Sequence, residues 1–169
     1  MLEIGSGTGQ HAVWFAAEMP WLTWQTSDRE QNHQGINAWI DTAEVENVRR
    51  PLALDVQEPA DIAATYDGIF SANTAHIMSI AAVRDMFGLA GELLERDGKF
   101  CLYGPFNRNG EFTSDSNRRF DESLRVQNPE MGIRSIEELD DFAGSVNLAR
   151  LRFFAMPANN NLVVWVRTA

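Results

Sequence analysis

Met1-Leu2-Glu3-Ile4-Gly5-Ser6-Gly7-Thr8-Gly9 opens the chain, and the reading of this stretch decides the fold. Leu2 to Ile4 is a short apolar piece with strand character that runs straight into a turn in which every second residue is glycine. Glycine accepts positive φ and lets a ligand come close to the backbone. From His11 to Met19, Ala12, Val13, Phe15, Ala16 and Met19 recur at helical spacing until Pro20 stops the run. A glycine-rich turn between strand and helix is either a plain tight turn or the ligand-binding turn of an open α/β sheet. A dinucleotide fingerprint would place its third glycine one residue later, where Gln10 stands. The tighter G-x-G-x-G spacing suits a ligand that presses its body on the loop without seating a pyrophosphate on the helix.

Outward from this turn, strand and helix alternate. Leu22–Thr26 reads as a strand ending at Ser27-Asp28, and 30–43 as a helix with Ile36, Trp39, Ile40 and Ala43 on one face. Pro51–Leu54 is a short strand closed by Asp55, 59–64 a brief helix, and Gly68–Ala72 a buried strand. Ile80–Leu94 is a long amphipathic helix with Gly98 as its C-terminal breaker, followed by the strand Phe100–Tyr103. Such alternation predicts a mostly parallel sheet with helices on both faces. Beyond it the rhythm changes. Residues 106–147 read as a substrate-side insertion or cap with helices over 117–127 and from the capping box Ser135-x-x-Glu138. The chain ends in an antiparallel hairpin, 148–156 and 162–167, around the turn 157–161.

The 169 residues fit a single domain, with 44% apolar and 22% charged residues. No apolar run approaches the ~18 residues of a membrane span. The lone Cys101 forms no internal disulfide and fits a reducing, cytoplasmic setting. The net charge is −10, and residues 1–98 hold fifteen acids against five bases. Nucleic-acid binders need basic surface for phosphate neutralisation, so that class is disfavoured. The arginine-rich stretch 99–134, with Arg108, Arg118, Arg119, Arg125 and Arg134, is where an anionic group would be received.

Leu2-Glu3-Ile4-Gly5-Ser6-Gly7-Thr8-Gly9 resembles the signature loop of class I S-adenosylmethionine-dependent methyltransferases. Asp28 follows nineteen residues after Gly9, where that superfamily has an acid bridging the ribose hydroxyls, and Asp55 stands where a polar side chain meets the adenine. The C-terminal hairpin resembles the sixth and seventh strands of that fold. The resemblance implies a Rossmann-like class I methyltransferase fold of seven strands. It also implies S-adenosylmethionine as cofactor, held by Glu3, Gly5, Ser6, Gly7, Gly9, Asp28, Asp55 and Asn73. Gly5 to Ala12, Tyr103-Gly104-Pro105-Phe106, Gly132-Ile133-Arg134 and Met156 to Asn160 are further similar to an uncharacterised methyltransferase-like family. The chemistry agrees independently of the family, because a sulfonium, an ammonium group and a ribose diol want carboxylates and carbonyls at strand ends. Plainer roles stay open to each acid: Asp28 as a helix cap, Asp55 as a turn former, Glu3 as a brace for the glycine loop.

After the fourth strand comes Ser71-Ala72-Asn73-Thr74-Ala75-His76, the end that faces the transferable methyl group in class I methyltransferases. The suspected family carries an asparagine and a histidine there, matched by Asn73 and His76, while Met78-Ser79-Ile80 departs from its serine-proline-tryptophan. His76 is the candidate general base, since imidazole titrates near neutrality. Tyr103, Asn107 and Arg118 are the candidates for holding a small-molecule acceptor, and no metal ligand set is present. His11 and His33 read as structural or exposed, and Trp14, Trp24, Trp39 and Trp165 as core or interface aromatics. The class usually has a segment ahead of its first strand, so an apolar face left open for a second copy of the chain is expected. Two other functions fit the residues: a non-catalytic cofactor- or partner-binding member of the fold, and a nicotinamide-dependent oxidoreductase, against which Gln10 counts.

Overall fold

The computed structural model describes residues 1–58 and 62–169. Leu2 and Glu3 (β1) send their side chains to opposite faces, and this alternation sets both layers of the molecule. On Leu2's face lies the main core. Ile69 of β4 (Tyr66–Ala72), Phe100 and Leu102 of β5 (Leu94–Gly104), and Val163 and Trp165 of the last strand are fully buried there. They meet Val83, Met86, Phe87 and Ala90 of α3 (Ile80–Leu93), and Ile136, Leu139 and Phe142 of α5 (Ile136–Ser145). The Phe87 ring stands edge-on to both Phe100 and Trp165 at 5.1 Å. On Glu3's face, Trp24 of β2 (Trp24–Asp28) stacks on Phe15 of α1 (Gln10–Glu18) at 5.3 Å, with Phe70 edge-on to both. A 3₁₀ turn over Glu30–Asn32 leads to α2 (His33–Thr42), which buries Ile36 beside α1.

The main sheet has seven strands in the order β3-β2-β1-β4-β5-β9-β8, with β3 at Val48–Ala53, β8 at Leu148–Met156 and β9 at Asn160–Arg167. β1 to β5 are parallel, and β9 runs antiparallel to both β5 and β8. This is the expected doubly wound sheet with helices on both faces and a C-terminal hairpin. Starting β1 in the middle and building outward in both directions brings the ends of β1 and β4 together at the reversal of strand order, where open sheets bind ligands. No helix among the described residues is long and apolar enough to cross a membrane.

Several local expectations are corrected. The brief helix expected over 59–64 begins outside the described residues, and 62–65 carry no regular element. Gly98 does not end α3. Leu94 caps that helix, Asp97 takes the positive φ (66°), and Gly98 lies within β5, where a Cβ would press on the carbonyl of Glu95. The capping box at Ser135 does not form, because its hydroxyl bonds Glu137 at 2.6 Å instead. Of the cap expected over 106–147, α5 belongs to the core layer. The projecting part is β6 (Phe106–Asn107), α4 (Asp115–Gln127) and β7 (Arg134–Ser135), and the turn at Asn159 docks on α4 through Asn117 (3.2 Å). Of the tryptophans read as core or interface residues, Trp24 and Trp165 are in the core, and Trp14 (62% exposed) and Trp39 stand at the surface. The outward row Tyr103, Leu162 and Phe154 across β5, β9 and β8 stays half-buried or exposed, so apolar surface is open on that face.

Candidate active site

Three glycines with positive φ shape the loop after β1, each for a different reason. Gly5 (φ 73°) lies under Thr74, whose Cγ2 is 2.8 Å from where a Cβ would stand. Gly9 (φ 87°) meets the backbone of α2, with Ile36 Cα 3.1 Å from the Cβ position. Gly7 (φ 59°) has nothing within 4 Å of its Cβ position, so its backbone faces open space. Gly9→Ala is therefore expected to destabilise the protein by about 1–2 kcal/mol, since it combines a left-handed alanine with a backbone contact that cannot yield. Denaturant melts of the ligand-free protein check this.

The open space beside Gly7 is a cleft of about 600 Å³ at the carboxyl ends of β1 to β4. Gly5, Gly7, Asp28, Asp55 and Asn73 all line it. Asp28 anchors the glycine loop: its Oδ2 accepts from the Gly7 N–H (2.7 Å), and its Oδ1 accepts from the Arg29 N–H and the Asn32 amide (both 2.8 Å). Asp55 pairs with Arg29 Nε at 2.9 Å and accepts from the Gln57 N–H at 3.1 Å. Asn73 adopts the left-handed region (φ 58°), a conformation rare outside glycine that clusters at functional sites. Its N–H donates to the Tyr103 carbonyl at 2.9 Å, and Ser71 below it donates to the Ile4 carbonyl at 2.7 Å, locking β4 to its neighbours.

Other expected site residues stand elsewhere. Glu3 is buried beneath α1, where its carboxylate accepts from the Trp24 indole (3.0 Å). Ser6 accepts from the Ser27 N–H (3.1 Å), and Gly9 packs on α2, so neither lines the cleft. Tyr103 lies on the open sheet face. The Asn107 amide reaches the Ile133 carbonyl at 3.4 Å, and its Oδ1 is buried without a partner among the described residues. Arg118 pairs with Asp115 (3.2 Å) and Glu122 (3.5 Å) on the exposed side of α4. Arg125 pairs with Asp121 at 2.7 Å, and Arg108 lies over the Phe153 ring, so none of these three offers a free cation to the cleft. The side chains that complete the wall, among them Ile77, Met78, Glu130 and Met131, have no pattern in the sequence that marks them.

His76 stands just behind the lining. It is 7% exposed, its ring is edge-on to Phe120 at 5.2 Å, and neither ring nitrogen is hydrogen-bonded among the described residues. Its Nδ1 and the Asn73 Oδ1 both come within 4.0 Å of one point over Gly104, so the two side chains converge there. Burial, and then the Arg134 guanidinium, lower the imidazole to about 4, which leaves it neutral through the physiological range.

Burial pushes the Glu3 carboxyl above its ordinary value, and the Trp24 hydrogen bond only partly opposes this. The folded protein thus holds the Glu3 proton more tightly than the unfolded chain does. Stability is lost as pH rises from about 4.5, the ordinary glutamate value, towards the raised folded-state value. Glu3→Gln keeps an acceptor for Trp24 without the buried charge. It is expected to melt higher than the wild type at pH 8 and to lose that advantage at pH 4. Identical pH slopes of Tm would remove Glu3 as the cause.

A second groove, of about 520 Å³, lies between α1 and α2 along Trp14, Ala17 and Trp39, and it contains neither the strand-end acids nor Gly5 and Gly7. Among the described residues no group of three or more His, Cys, Asp and Glu is placed to hold a metal ion.

Residues 1–167 match the model of a family described as "Protein of unknown function (DUF938)". The chain is similar in structure to an O-methyltransferase family protein from Burkholderia thailandensis, with TM-score 0.87 and 14% identity over 99% of this chain and 50% of that one. It is likewise similar to the S-adenosylmethionine-dependent methyltransferase SibL in its apo form (TM-score 0.84, 20% identity, 99% and 50% covered). An O-methyltransferase family 2 protein from Planctomyces limnophilus, in complex with apigenin, gives TM-score 0.86 at 15% identity, with 99% and 49% covered. The chain therefore has the class I methyltransferase fold and spans about half the length of these proteins.

Proposed function

The chain belongs to the DUF938 family, and from its own site we propose that it is an S-adenosylmethionine-dependent methyltransferase acting on a small molecule. The observation that carries this reading is the convergence of Gly5, Gly7, Asp28, Asp55 and Asn73 on one cleft at the strand ends. These residues fit the cofactor's chemistry. Gly7 leaves open a space that any side chain would fill, and the two carboxylates suit a ribose diol, an adenine amine and a net positive donor.

In this reading Asp28 takes the ribose hydroxyls while holding the glycine loop in place, and Asp55 faces the adenine. Asn73 presents its side chain from a strained strand end towards the methionine part. When bound, the cofactor would supply an electrophilic methyl group for the acceptor's nucleophile, with S-adenosylhomocysteine as the leaving group. The chain's contribution is mainly alignment, since holding nucleophile and methyl group in line lowers the barrier without further chemistry. His76, neutral and with unbonded nitrogens, takes a hydrogen bond or a proton from the acceptor. The acceptor side of the cleft lies by Ile77, Met78, Glu130 and Met131, with His76 just behind that wall. Cytoplasmic location fits the single thiol.

Titration calorimetry with S-adenosylhomocysteine, beside a methyl-donor consumption screen over small nucleophiles, tests the proposal. Micromolar binding with turnover on any acceptor supports it. Binding without turnover on every acceptor makes the protein a non-catalytic binder, and micromolar NAD binding without S-adenosylhomocysteine binding makes it an oxidoreductase.

A further inference from the structure

Arg134, at the start of β7, is a buried guanidinium whose hydrogen bonds all go to backbone carbonyls. Buried charges are ordinarily paired with an opposite charge. Asp121 and Glu138 lie near enough to favour the charge of Arg134, but neither forms an ion pair with it. Its Nε donates to the Ala75 carbonyl at 3.0 Å, and its Nη2 donates to the carbonyls of Met78 and of Glu130, the latter at 2.7 Å. Ala75 and Met78 bracket His76 in the loop after β4, whereas Glu130 belongs to the loop after α4. Both loops wall the cleft.

One backbone bond crosses the same seam, from the Gly132 N–H to the His76 carbonyl at 2.9 Å. Glycine suits this position, since its φ of 154° is a backbone conformation that other residues rarely adopt. Asp121 secures the far side by accepting from the Ile133 N–H at 2.7 Å. A planar fork with several fixed donors is what lets one side chain reach carbonyls on two separate loops. A lysine keeps the charge but loses that reach.

We propose that Arg134 is the positioning residue of the acceptor side, clamping the 75–78 loop to the 128–132 loop so that His76, Met78 and Met131 stand where the cleft needs them. The step from His76 to an acceptor rests on the methyltransferase reading, while the clamp itself does not. The guanidinium's second effect is electrostatic, since after burial it is the next cause of the low His76 value.

The clamp is tested with the wild type, Arg134→Lys and Arg134→Gln by three measurements: exchange of the Gly132 amide, NMR titration of the His76 ring, and calorimetry with S-adenosylhomocysteine. In the wild type the Gly132 amide is expected to exchange slowly. Rapid exchange there overturns the clamp without any variant having to fold. In folded Arg134→Lys the amide is expected to exchange at least about tenfold faster. The His76 midpoint is expected to rise from about 4 towards the ordinary 6.5 as the loop admits water. A residue that merely adds stability would leave the folded-state midpoint unmoved, so an unchanged midpoint with unchanged Gly132 exchange overturns the proposal. S-adenosylhomocysteine affinity is expected to fall about tenfold in the lysine variant. If the wild type binds no S-adenosylhomocysteine, the methyltransferase reading fails, and the exchange and titration results still decide the clamp.

Discussion

Asp28→Ala is expected to weaken S-adenosylhomocysteine binding about 10- to 100-fold, ~1–3 kcal/mol, the scale of lost hydrogen bonds to a charged group. Two losses combine. The carboxylate has about four lone-pair positions, and three are already taken by Gly7, Arg29 and Asn32. The remaining capacity points to the cleft and is what a ribose hydroxyl would use. Removing the side chain also frees the Gly7 N–H, so the loop that faces the ligand loses its anchor as the ligand loses its partner. Asp28→Asn separates charge from shape. Its amide can satisfy Gly7 or Asn32 with its one oxygen, but not both, and its NH₂ opposes the other donor. The asparagine variant is therefore expected to lie nearer to alanine than to wild type. Calorimetry decides the matter, with melting temperature as the control for the loop: wild-type affinity in both variants would take Asp28 out of the site.

The parts of this site that were legible in the sequence are those set by local backbone chemistry. Gly5, Gly7 and Gly9 announce positive φ by their type, and all three adopt it. Asp28 and Asp55 announce strand ends because a short polar residue after a β-prone run stops the strand beside the ligand crevice. The alternation of strand and helix, together with the final hairpin, was enough to place seven strands and two helical layers. Arg134 was not legible as a clamp. Its partners are carbonyls at 75, 78 and 130, and every residue type has a carbonyl, so the sequence shows only another arginine in a basic stretch. Core and interface could not be told apart for Trp14 and Trp39 for a related reason, because helical spacing says that a stripe is apolar but not what lies against it, and both stand at the surface. Spacing alone marks Gly98 as the end of a helix, whereas the close approach of the Glu95 and Asp67 carbonyls is the reason for glycine there.

The arrangement around His76 separates two roles that the sequence leaves merged. A general base works best with a value near the working pH, and a ring lowered to about 4 is a weak proton acceptor at neutrality. The same lowering guarantees a neutral imidazole with a free lone pair, which can take a hydrogen bond from an acceptor hydroxyl or amine as its nucleophile approaches the methyl group. His76→Ala is accordingly expected to lower turnover about hundredfold, the low end of the range for acid–base groups. It should leave S-adenosylhomocysteine affinity within about twofold, because the ring stands behind the residues that line the cleft. The wild-type rate is expected to be flat from about pH 5.5 to 8 and to fall only as the ring protonates near 4. A rate that instead rises with a midpoint near 6.5 would mean an imidazole in ordinary solvation, at odds with its burial against Phe120 and Arg134. Full turnover in the alanine variant would reduce His76 to the residue whose carbonyl anchors Gly132. Asn73, whose amide oxygen approaches the same point over Gly104, would then be left as the polar side chain that meets the acceptor.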